Sequence, residues 1–362
     1  MIIKNLPYLL ALHSIDGLGP MRLKAVLDHF QDPKLAWEAD QKQLIELGIP
    51  RNTVEILVET RRNFSPEDYA KSIEESGIKW LTIFDECYPK NLKQIYDPPV
   101  VLYYKGEILP QDEKAIAVVG TRKMTGYGKL VTEKFTKDLV AAGLTIVSGL
   151  ARGVDACAHQ AALTEGGRTL AVLGGGLNNI YPPENTLLAK QIQTAGAVLT
   201  EFPPDYPSMP GNFPARNRII SGLSRAVLVT EASSDSGSLI TARLALEQGR
   251  DVFAIPGPVT SELSRGPADL IKEGARLTFE ANEILEELGW DKSNRSDQAN
   301  LGKQELSPGE KQLLETLQNE NKHIDEICRE LNLSAAEVSA DLLKMEILGI
   351  VRNLGNGIYC KV

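Results

Sequence analysis

The sequence predicts an α/β protein, in which a parallel β-sheet domain at residues 76–290 lies between two smaller domains. Three observations predict it. From about residue 115, short apolar runs alternate with glycine-rich turns and amphipathic helix patterns. Residues 1–75 contain short helix patterns separated by turns, which predicts a helical domain. After a polar linker at 291–307, three helix patterns and a glycine-rich strand pair predict a winged helix at 308–362.

The helical domain contains IDGLGPMRLKAVLDHF at residues 15–30, which has the spacing of a helix-hairpin-helix. Gly17 and Gly19 permit a tight turn, and Pro20 suits the first turn of a helix. A weaker copy, LGIPRNTVEIL, follows at residues 47–57. Two interpretations stay open. The hairpin N–H groups could hold a phosphate without reading sequence, or the glycines could simply make turns in a helical packing module.

Six apolar runs predict the strands of the sheet. They are residues 115–119, 144–148, 169–174, 197–200, 226–230 and 252–256. Because these runs are almost entirely apolar, they suit a parallel sheet that is covered by helices on both faces. The preceding segment LYYKG, residues 102–106, is predicted to add an edge strand.

The winged-helix pattern has the wrong charge for a DNA-reading module. Its proposed recognition helix begins at Ser334 with a capping box that pairs Ser334 with Glu337. Residues 308–362 contain six Lys or Arg and nine Asp or Glu. Phosphate would repel such a helix from the major groove, so we expect this module to contact protein or to pack against the chain.

The composition excludes several classes of protein. No apolar run approaches the roughly 20 residues of a membrane span, and the N-terminal segment lacks the pattern of a signal peptide, which favours the cytoplasm. The four cysteines form no CxxC pair, so we expect neither disulfides nor a metal site. The net charge of −9 means that any nucleic-acid site must be concentrated locally.

The loops that follow the predicted strands are rich in glycine, hydroxyl groups and arginine. Their sequences are GTRKMTGYG (120–128), SGLARGVDACAH (148–159), GGGLNNIYPPEN (174–185), NFPARNRII (212–220) and EASSDSGSLITA (231–242). In a parallel sheet the carboxyl ends of the strands meet at one edge, so these loops are expected to converge there.

Convergence of these loops predicts a cationic groove. Its members would be Arg122, Arg152, Arg216 and Arg218, with Phe213 available to stack on a base. A groove that tracks the backbone and offers aromatic rings holds single strands without sequence preference. The sequence therefore predicts a single-stranded nucleic-acid site at this edge of the sheet.

An enzymatic interpretation has little to support it in the sequence. Neither GxGxxG nor GxxxxGK[ST] occurs, so we expect no dinucleotide cofactor and no ATP motor. Asp155 and His159 lie one helical turn apart and could act as an acid–base pair, or as a helix-capping carboxylate and a packed imidazole. No nucleophile or metal ligand accompanies them, so no catalytic residue is predicted.

Taken together, the motifs resemble the DprA family, also called Smf, of bacterial DNA-processing proteins. The resemblance spans roughly residues 80–290. It implies an extended Rossmann core, a sterile-alpha-motif-like N-terminal domain and a C-terminal winged helix. It further implies single-stranded DNA binding, loading of the RecA recombinase onto DNA, including DNA imported in natural transformation, and no turnover. It also implies a homodimer that pairs through the last part of the Rossmann core, near Leu270.

The resemblance also points to individual residues. The family's Gly-Ser/Thr-Arg and Phe-Pro-x-Arg-Asn-Arg elements match residues 120–122 and 213–218, including Pro214. The residues expected to contact DNA are Gly120, Thr121, Arg122, Arg152, Phe213, Arg216, Asn217, Arg218, Gly237 and Ser238. The sequence departs from some relatives at YPPEN, where Pro183 and Glu184 stand in a turn that can carry a lysine. A phosphate contact from that turn is therefore not expected.

Two other functions are compatible with this fold class. Phosphoribohydrolases of the LOG type share a Rossmann sheet and are recognised by a PGGxGTxxE segment with a catalytic glutamate. Here PGPVTSEL, residues 256–263, follows a strand without that pattern. A protein-interaction scaffold would explain the acidic C-terminal module, but it would leave the arginine-bearing loops without a role.

The charge of the C-terminal module generates a first prediction. Deleting residues 300–362 should leave the affinity for single-stranded DNA largely intact, because that region carries more acidic than basic side chains. Fluorescence anisotropy with a labelled oligonucleotide measures this. A loss of affinity of about tenfold or more would contradict the charge argument.

Overall fold

The computed structural model describes residues 4–290, 307–317, 322–347, 350–355 and 357–361. The chain forms two compact units, Met1–Asp291 and Lys292–Val362. Apart from Ser307, the predicted linker lies outside the described residues. No helix within the described ranges has the length and apolar character that crossing a bilayer requires.

Six helices open the first unit. They are α1 (Leu6–His13), α2 (Pro20–Phe30), α3 (Pro33–Glu38), α4 (Gln41–Glu46), α5 (Arg51–Thr60) and α6 (Pro66–Glu75). Asp40 begins α4 with a capping box, and Ser65 caps α6. Gly17 has a φ of +88°, and a side chain there would collide with Thr53. Both predicted hairpin segments thus form turns between helices.

A nine-stranded sheet forms the centre of this unit. Its strands are β1 (Lys79–Thr82), β2 (Val101–Gly106), β3 (Ala115–Val119), β4 (Thr145–Ser148), β5 (Thr169–Val172), β6 (Ala197–Thr200), β7 (Ala226–Val229), β8 (Asp251–Ala254) and β9 (Arg276–Leu277). Their order is β1-β2-β6-β5-β4-β3-β7-β8-β9. The strands from β6 to β9 in this order are parallel, which confirms the predicted parallel core.

The prediction of an edge strand at LYYKG was wrong in one respect. The segment is a strand, but it lies between β1 and β6 and runs antiparallel to both. The edge is β1, whose sequence KWLT is too short and too mixed in polarity to be recognised as a strand. The two-residue strand β9 at the other edge also gave no sequence signal.

Eight helices accompany the strands of the sheet. They are α7 (Lys90–Lys93), α8 (Gly126–Ala141), α9 (Val154–Thr164), α10 (Thr186–Ala195), α11 (Asn212–Leu223), α12 (Gly237–Glu247), α13 (Arg265–Lys272) and α14 (Ala281–Glu287). Successive residues of β3 enter different cores: Ile116 and Val118 pack with α8, α9 and α14, whereas Ala117 and Val119 belong to the opposite core. Burial on both faces explains why the strands are apolar throughout.

The helices before β1 share a core with one face of the sheet. Leu9, Leu23 and Leu57 belong to the same buried cluster as residues of β2, β5 and β6. The Tyr103 hydroxyl also lies 3.3 Å from Nδ1 of His13. The domain boundary predicted at 75/76 therefore coincides with a change from helices to strands, and packing continues across it.

The strand order reverses at β3, which pairs with β4 on one side and β7 on the other. At such a topological switch point, the loops at the carboxyl ends separate and leave a crevice in which ligands bind. Residues that follow β3, β4, β5 and β6 line a depression at the carboxyl ends of the strands. They belong to four of the five loops singled out in the sequence.

The second unit is a winged helix, as predicted. Its helices are α15 (Pro308–Thr316), α16 (Ile324–Leu331) and α17 (Ala335–Ile347), and its strands are β10 (Lys322–His323), β11 (Val351–Gly355) and β12 (Ile358–Lys361). The sheet order is β10-β12-β11, so β10 adds a strand that the sequence did not predict. The capping box that begins α17 is confirmed, because Ser334 N donates to Glu337 Oε2 and Glu337 N donates to Ser334 Oγ.

A buried ion pair at the amino ends of the strands generates a stability prediction. Arg168 donates from Nε and Nη2 to the two carboxylate oxygens of Asp112, each at 2.9 Å, and Asp112 is 7% exposed. Arg168→Ala should lower the free energy of unfolding by about 3 kcal/mol, because it leaves a buried carboxylate without its cation. Urea unfolding measures the loss.

The matched control is Lys137→Ala, which removes the cation of an exposed pair with Glu165. That change should lower stability by less than about 1 kcal/mol. Equal losses in the two variants would show that the Asp112 carboxylate does not depend on Arg168.

Candidate nucleic-acid interface

A buried arginine joins the loops at the carboxyl edge of the sheet. Arg216 is 4% exposed, and its Nη1 donates to the carbonyl oxygen of Val172, the last residue of β5, at 2.7 Å. A Cβ at Gly149, directly after β4, would lie 1.7 Å from the same Nη1. Residue 149 must therefore be glycine for the guanidinium to occupy this position.

The charge of Arg216 is balanced by Asp155 in the first turn of α9. The Asp155 carboxylate accepts hydrogen bonds from the N–H groups of Gly149 (3.1 Å) and Ala151 (3.4 Å). Burial raises the pKa of Asp155, and attraction to Arg216 opposes that shift. Burial lowers the pKa of Arg216 to about 10. The two charges stabilise each other out of water and tie the 149–153 loop to α11.

The 149–153 loop adopts a conformation that its neighbours enforce. Leu150 has a φ of 56°, in the left-handed region that a leucine rarely adopts. Asn185 Nδ2 donates to the Leu150 carbonyl at 2.8 Å. Gly153 has a φ of +75°, and a Cβ there would lie 2.3 Å from the carbonyl oxygen of Thr121. The loops after β3, β4 and β5 are therefore fixed to one another.

Phe213 lies among the cationic side chains. The guanidinium carbon of Arg122 is 5.2 Å from its ring centroid, and that of Arg216 is 5.9 Å from it. Tyr181 approaches the same ring with 6.0 Å between centroids. Arg122 and Tyr181 are exposed and Phe213 is half-buried, so a cation and two aromatic rings are accessible to solvent together.

Arg152 lines the same depression, with Gly149, Ala151, Pro182 and the residues around Phe213. Its guanidinium forms an ion pair with Glu184 of the YPPEN turn. Both side chains are exposed, at 59% and 48%. The pairing raises the pKa of Arg152 and lowers the pKa of Glu184. The structure thus brings together Arg122, Arg152, Phe213 and Arg216, and it adds an acidic partner at the edge.

Arg218 does not join this group. Its Nε donates to Asp97 Oδ2 at 2.8 Å, and its Nη1 and Nη2 donate to the two carboxylate oxygens of Glu201 at 2.9 and 2.6 Å. The side chain is buried. Because Arg218 is two positions after Arg216 on α11, the two side chains lie on opposite faces of the helix. The prediction that Arg218 lines the groove was therefore wrong, since its donors are already bound to carboxylates.

The remaining predicted contacts hold the loops in place. Thr121 N donates to the carbonyl oxygen of Glu231 at 2.6 Å, and a Cβ at Gly120 would lie 2.7 Å from that oxygen. Asn217 is buried, and its Nδ2 donates to the Gly237 carbonyl at 3.3 Å. Ser238, one residue further, shares a hydrogen bond with the capping Ser236. Asn217 thus connects α11 to the start of α12, and Thr121 connects the loop after β3 to the loop after β7.

Sequence reasoning missed a carboxylate at the N-terminus of α8. Glu231 is 2% exposed and accepts hydrogen bonds from Thr125 N (2.9 Å) and Thr125 Oγ1 (2.6 Å). Gly128 leaves the space that this carboxylate occupies, since a Cβ there would lie 2.0 Å from it. No sequence signal joins positions 125 and 231. Tyr181 was also missed, although an aromatic residue in a loop of this edge was a usable signal.

Asp155 and His159 do not form an acid–base pair. The Asp155 carboxylate faces backbone N–H groups, while Nδ1 of the fully buried His159 lies 2.6 Å from Thr169 Oγ1. This agrees with the interpretation of a capping carboxylate and a packed imidazole. Within the described part of the chain, no three His, Cys, Asp or Glu side chains are arranged to hold a metal ion.

Comparison with known families decides the relationship. The model of a family described as DNA recombination-mediator protein A matches residues 79–289, and that of the DprA winged helix domain matches residues 297–357. The chain belongs to the DprA family. The family assignment does not favour the phosphoribohydrolase alternative, and it confirms the resemblance seen in the motifs.

Individual DprA relatives agree over most of the chain. Protein Smf of Synechocystis is 39% identical over 95% of this chain and 96% of its own length. DNA processing protein DprA of Bacillus subtilis is 46% identical over 59% of this chain and 72% of its own length.

Two solved DprA structures have the same fold. The Streptococcus pneumoniae protein has a TM-score of 0.70 and 38% identity, over 79% of this chain and 99% of its own. The Helicobacter pylori protein has a TM-score of 0.52 and 32% identity, over 58% of this chain and 95% of its own, and is described for its single-stranded DNA binding mode.

The buried imidazole generates a pH prediction. Burial, with Arg216 nearby, lowers the pKa of His159 from 6.5 to about 3. The unfolded chain therefore takes up a proton near pH 6.5 that the folded chain does not, so stability falls as the pH drops from 6.5 towards 3. By pH 5 this group should lower the free energy of unfolding by about 2 kcal/mol.

Urea unfolding from pH 7.5 to 5 measures the effect, with His159→Gln as the comparison because glutamine does not titrate. Carboxylates contribute equally to both proteins, so the difference between the two curves isolates the imidazole. Parallel curves would mean that His159 takes up its proton in the folded state as well.

Proposed function

We propose that the chain binds single-stranded DNA in the depression around Phe213, as a non-catalytic recombination mediator. The observation that carries this proposal is the packing of Arg122 and Arg216 around one aromatic ring at the switch-point edge of an otherwise acidic protein. A cationic groove with aromatic side chains is the arrangement that holds single strands. The binding mode described for the Helicobacter pylori relative supports the same ligand.

The side chains that line the depression would have different roles. Arg122 and Arg152 are exposed and can reach phosphate oxygens. Arg216 is buried, so it would supply positive potential and hold the loops instead of forming a direct ion pair. The rings of Phe213 and Tyr181 are available to stack on a base. Arg218 is left out of the contact set and is assigned to fixing α11 through Glu201.

Membership of a family described as DNA recombination-mediator protein A supports proposals for further functions. We propose that the protein acts in the cytoplasm, protects single-stranded DNA, including imported DNA, and loads the RecA recombinase onto it. We also propose a homodimer that pairs through the last part of the Rossmann core. A surface depression between α12 and α13 lies in that region. Its lining combines the buried Leu239 and Leu270 with charged side chains, Arg243, Asp269, Lys272 and Glu273, and the adjacent Ile240 is exposed.

A competition titration tests the central proposal. A fluorescent single-stranded oligonucleotide is titrated with the full chain at two salt concentrations, with duplex of equal length and free nucleoside monophosphates as competitors. Single strand should bind in preference to duplex, and the affinity should fall as salt rises, because binding releases counterions from the phosphates. Displacement by nucleoside monophosphate alone would favour the phosphoribohydrolase instead.

Arg122→Ala should weaken single-strand binding about tenfold, because it removes an exposed cation and the cover of Phe213. The salt slope should become shallower by about 0.7, which corresponds to one phosphate contact on a single strand. The matched control is Arg225→Ala. Arg225 is exposed and directly precedes β7, so it lies at the amino ends of the strands, away from the depression. Equal effects of the two substitutions would place the binding surface elsewhere.

A further inference from the structure

The edge of the proposed DNA groove contains an acidic side chain. Glu184 forms an ion pair with Arg152, one of the two exposed arginines of the depression. A phosphate that approaches Arg152 meets a guanidinium whose Nε already donates to a carboxylate. Since carboxylate and phosphate oxygens accept from a guanidinium in the same geometry, the two anions compete for the side of Arg152 that carries Nε.

The position of Glu184 is set by the backbone around it. It lies in the short 3-10 turn Pro183–Asn185, and the next residue, Asn185, donates to the carbonyl oxygens of Leu150 and Ala151. That hydrogen bonding attaches the turn to the loop that carries Arg152. The backbone of residue 184 therefore stays beside the groove even when the ion pair is broken.

We propose that Glu184 competes with DNA phosphate for Arg152 and thereby sets the affinity of the groove for single-stranded DNA. The inference rests on the proposed function and adds an affinity-determining residue to it. An exposed ion pair is weak enough to open, so the carboxylate lowers the affinity without blocking the site. Once Arg152 turns to a phosphate, Glu184 is left next to a second anion, which adds repulsion to the lost pair.

The test compares Glu184→Gln with the unchanged chain in the oligonucleotide titration. Glutamine keeps the size of the side chain and removes its charge, so affinity at about 50 mM salt should increase threefold to tenfold. The dependence on salt should become steeper by up to about 0.7, because Arg152 now binds a phosphate without releasing a carboxylate. Glu184→Asp keeps the charge and should bind close to the unchanged chain.

Two comparisons separate this role from a general effect of charge. Glu165→Gln removes a similarly exposed carboxylate that is paired with Lys137, and it lies at the opposite end of α9 from the groove. It should change the affinity less than about twofold, since it contacts no groove residue. In an Arg152→Ala background, Glu184→Gln should have a much smaller effect, because the cation for which it competes is absent.

Each outcome decides the inference. Tighter binding by Glu184→Gln that depends on Arg152 and is not reproduced by Glu165→Gln supports it. An unchanged or weaker affinity, or an equal gain without Arg152, overturns it while single-strand binding by the unchanged chain still upholds the proposed function. If the unchanged chain itself fails to bind single strands, the proposed function fails, and the role of Glu184 fails with it.

Discussion

The buried guanidinium of Arg216 is the constraint on which the carboxyl edge of the sheet depends. It joins the end of β5 to α11, it requires glycine at position 149, and it lies in the field of Asp155. A buried charge of this kind depends on its partner, here Asp155, because removing one member of a buried pair typically destabilises a protein by about 3–5 kcal/mol. The conformation of the loops around the groove therefore depends on the Arg216 side chain.

This constraint separates the exposed arginines of the depression from the buried arginines that hold α11 in place. Arg122 and Arg152 are exposed to solvent, whereas Arg216 and Arg218 are buried and bind other groups of the chain. Both internal arginines lie on α11, and they fix opposite faces of that helix, one to the sheet edge and one to Glu201 and Asp97. Phe213 lies in the first turn of the same helix, so both attachments help to position it.

The sequence predicted the parallel core and the two flanking domains, but not the strands β1, β9 and β10 or which arginines face the groove. Apolar runs of four to six residues marked the parallel strands because both faces of the sheet are buried. The motif FPARNR could not show which arginine faces the groove, because that depends on Glu201 and Asp97, which lie 17 and 121 residues from Arg218. Glu231 was equally hidden, since its partner Thr125 is 106 residues away.

The carboxylate of Glu231 has a consequence for how the groove meets its ligand. By accepting the donors of Thr125 at the N-terminus of α8, it acts as a resident counter-anion for a helix end that would otherwise attract one from solution. The loop that carries Arg122 is consequently organised before any ligand arrives. For the proposed single-stranded ligand, association would then have less ordering entropy to overcome.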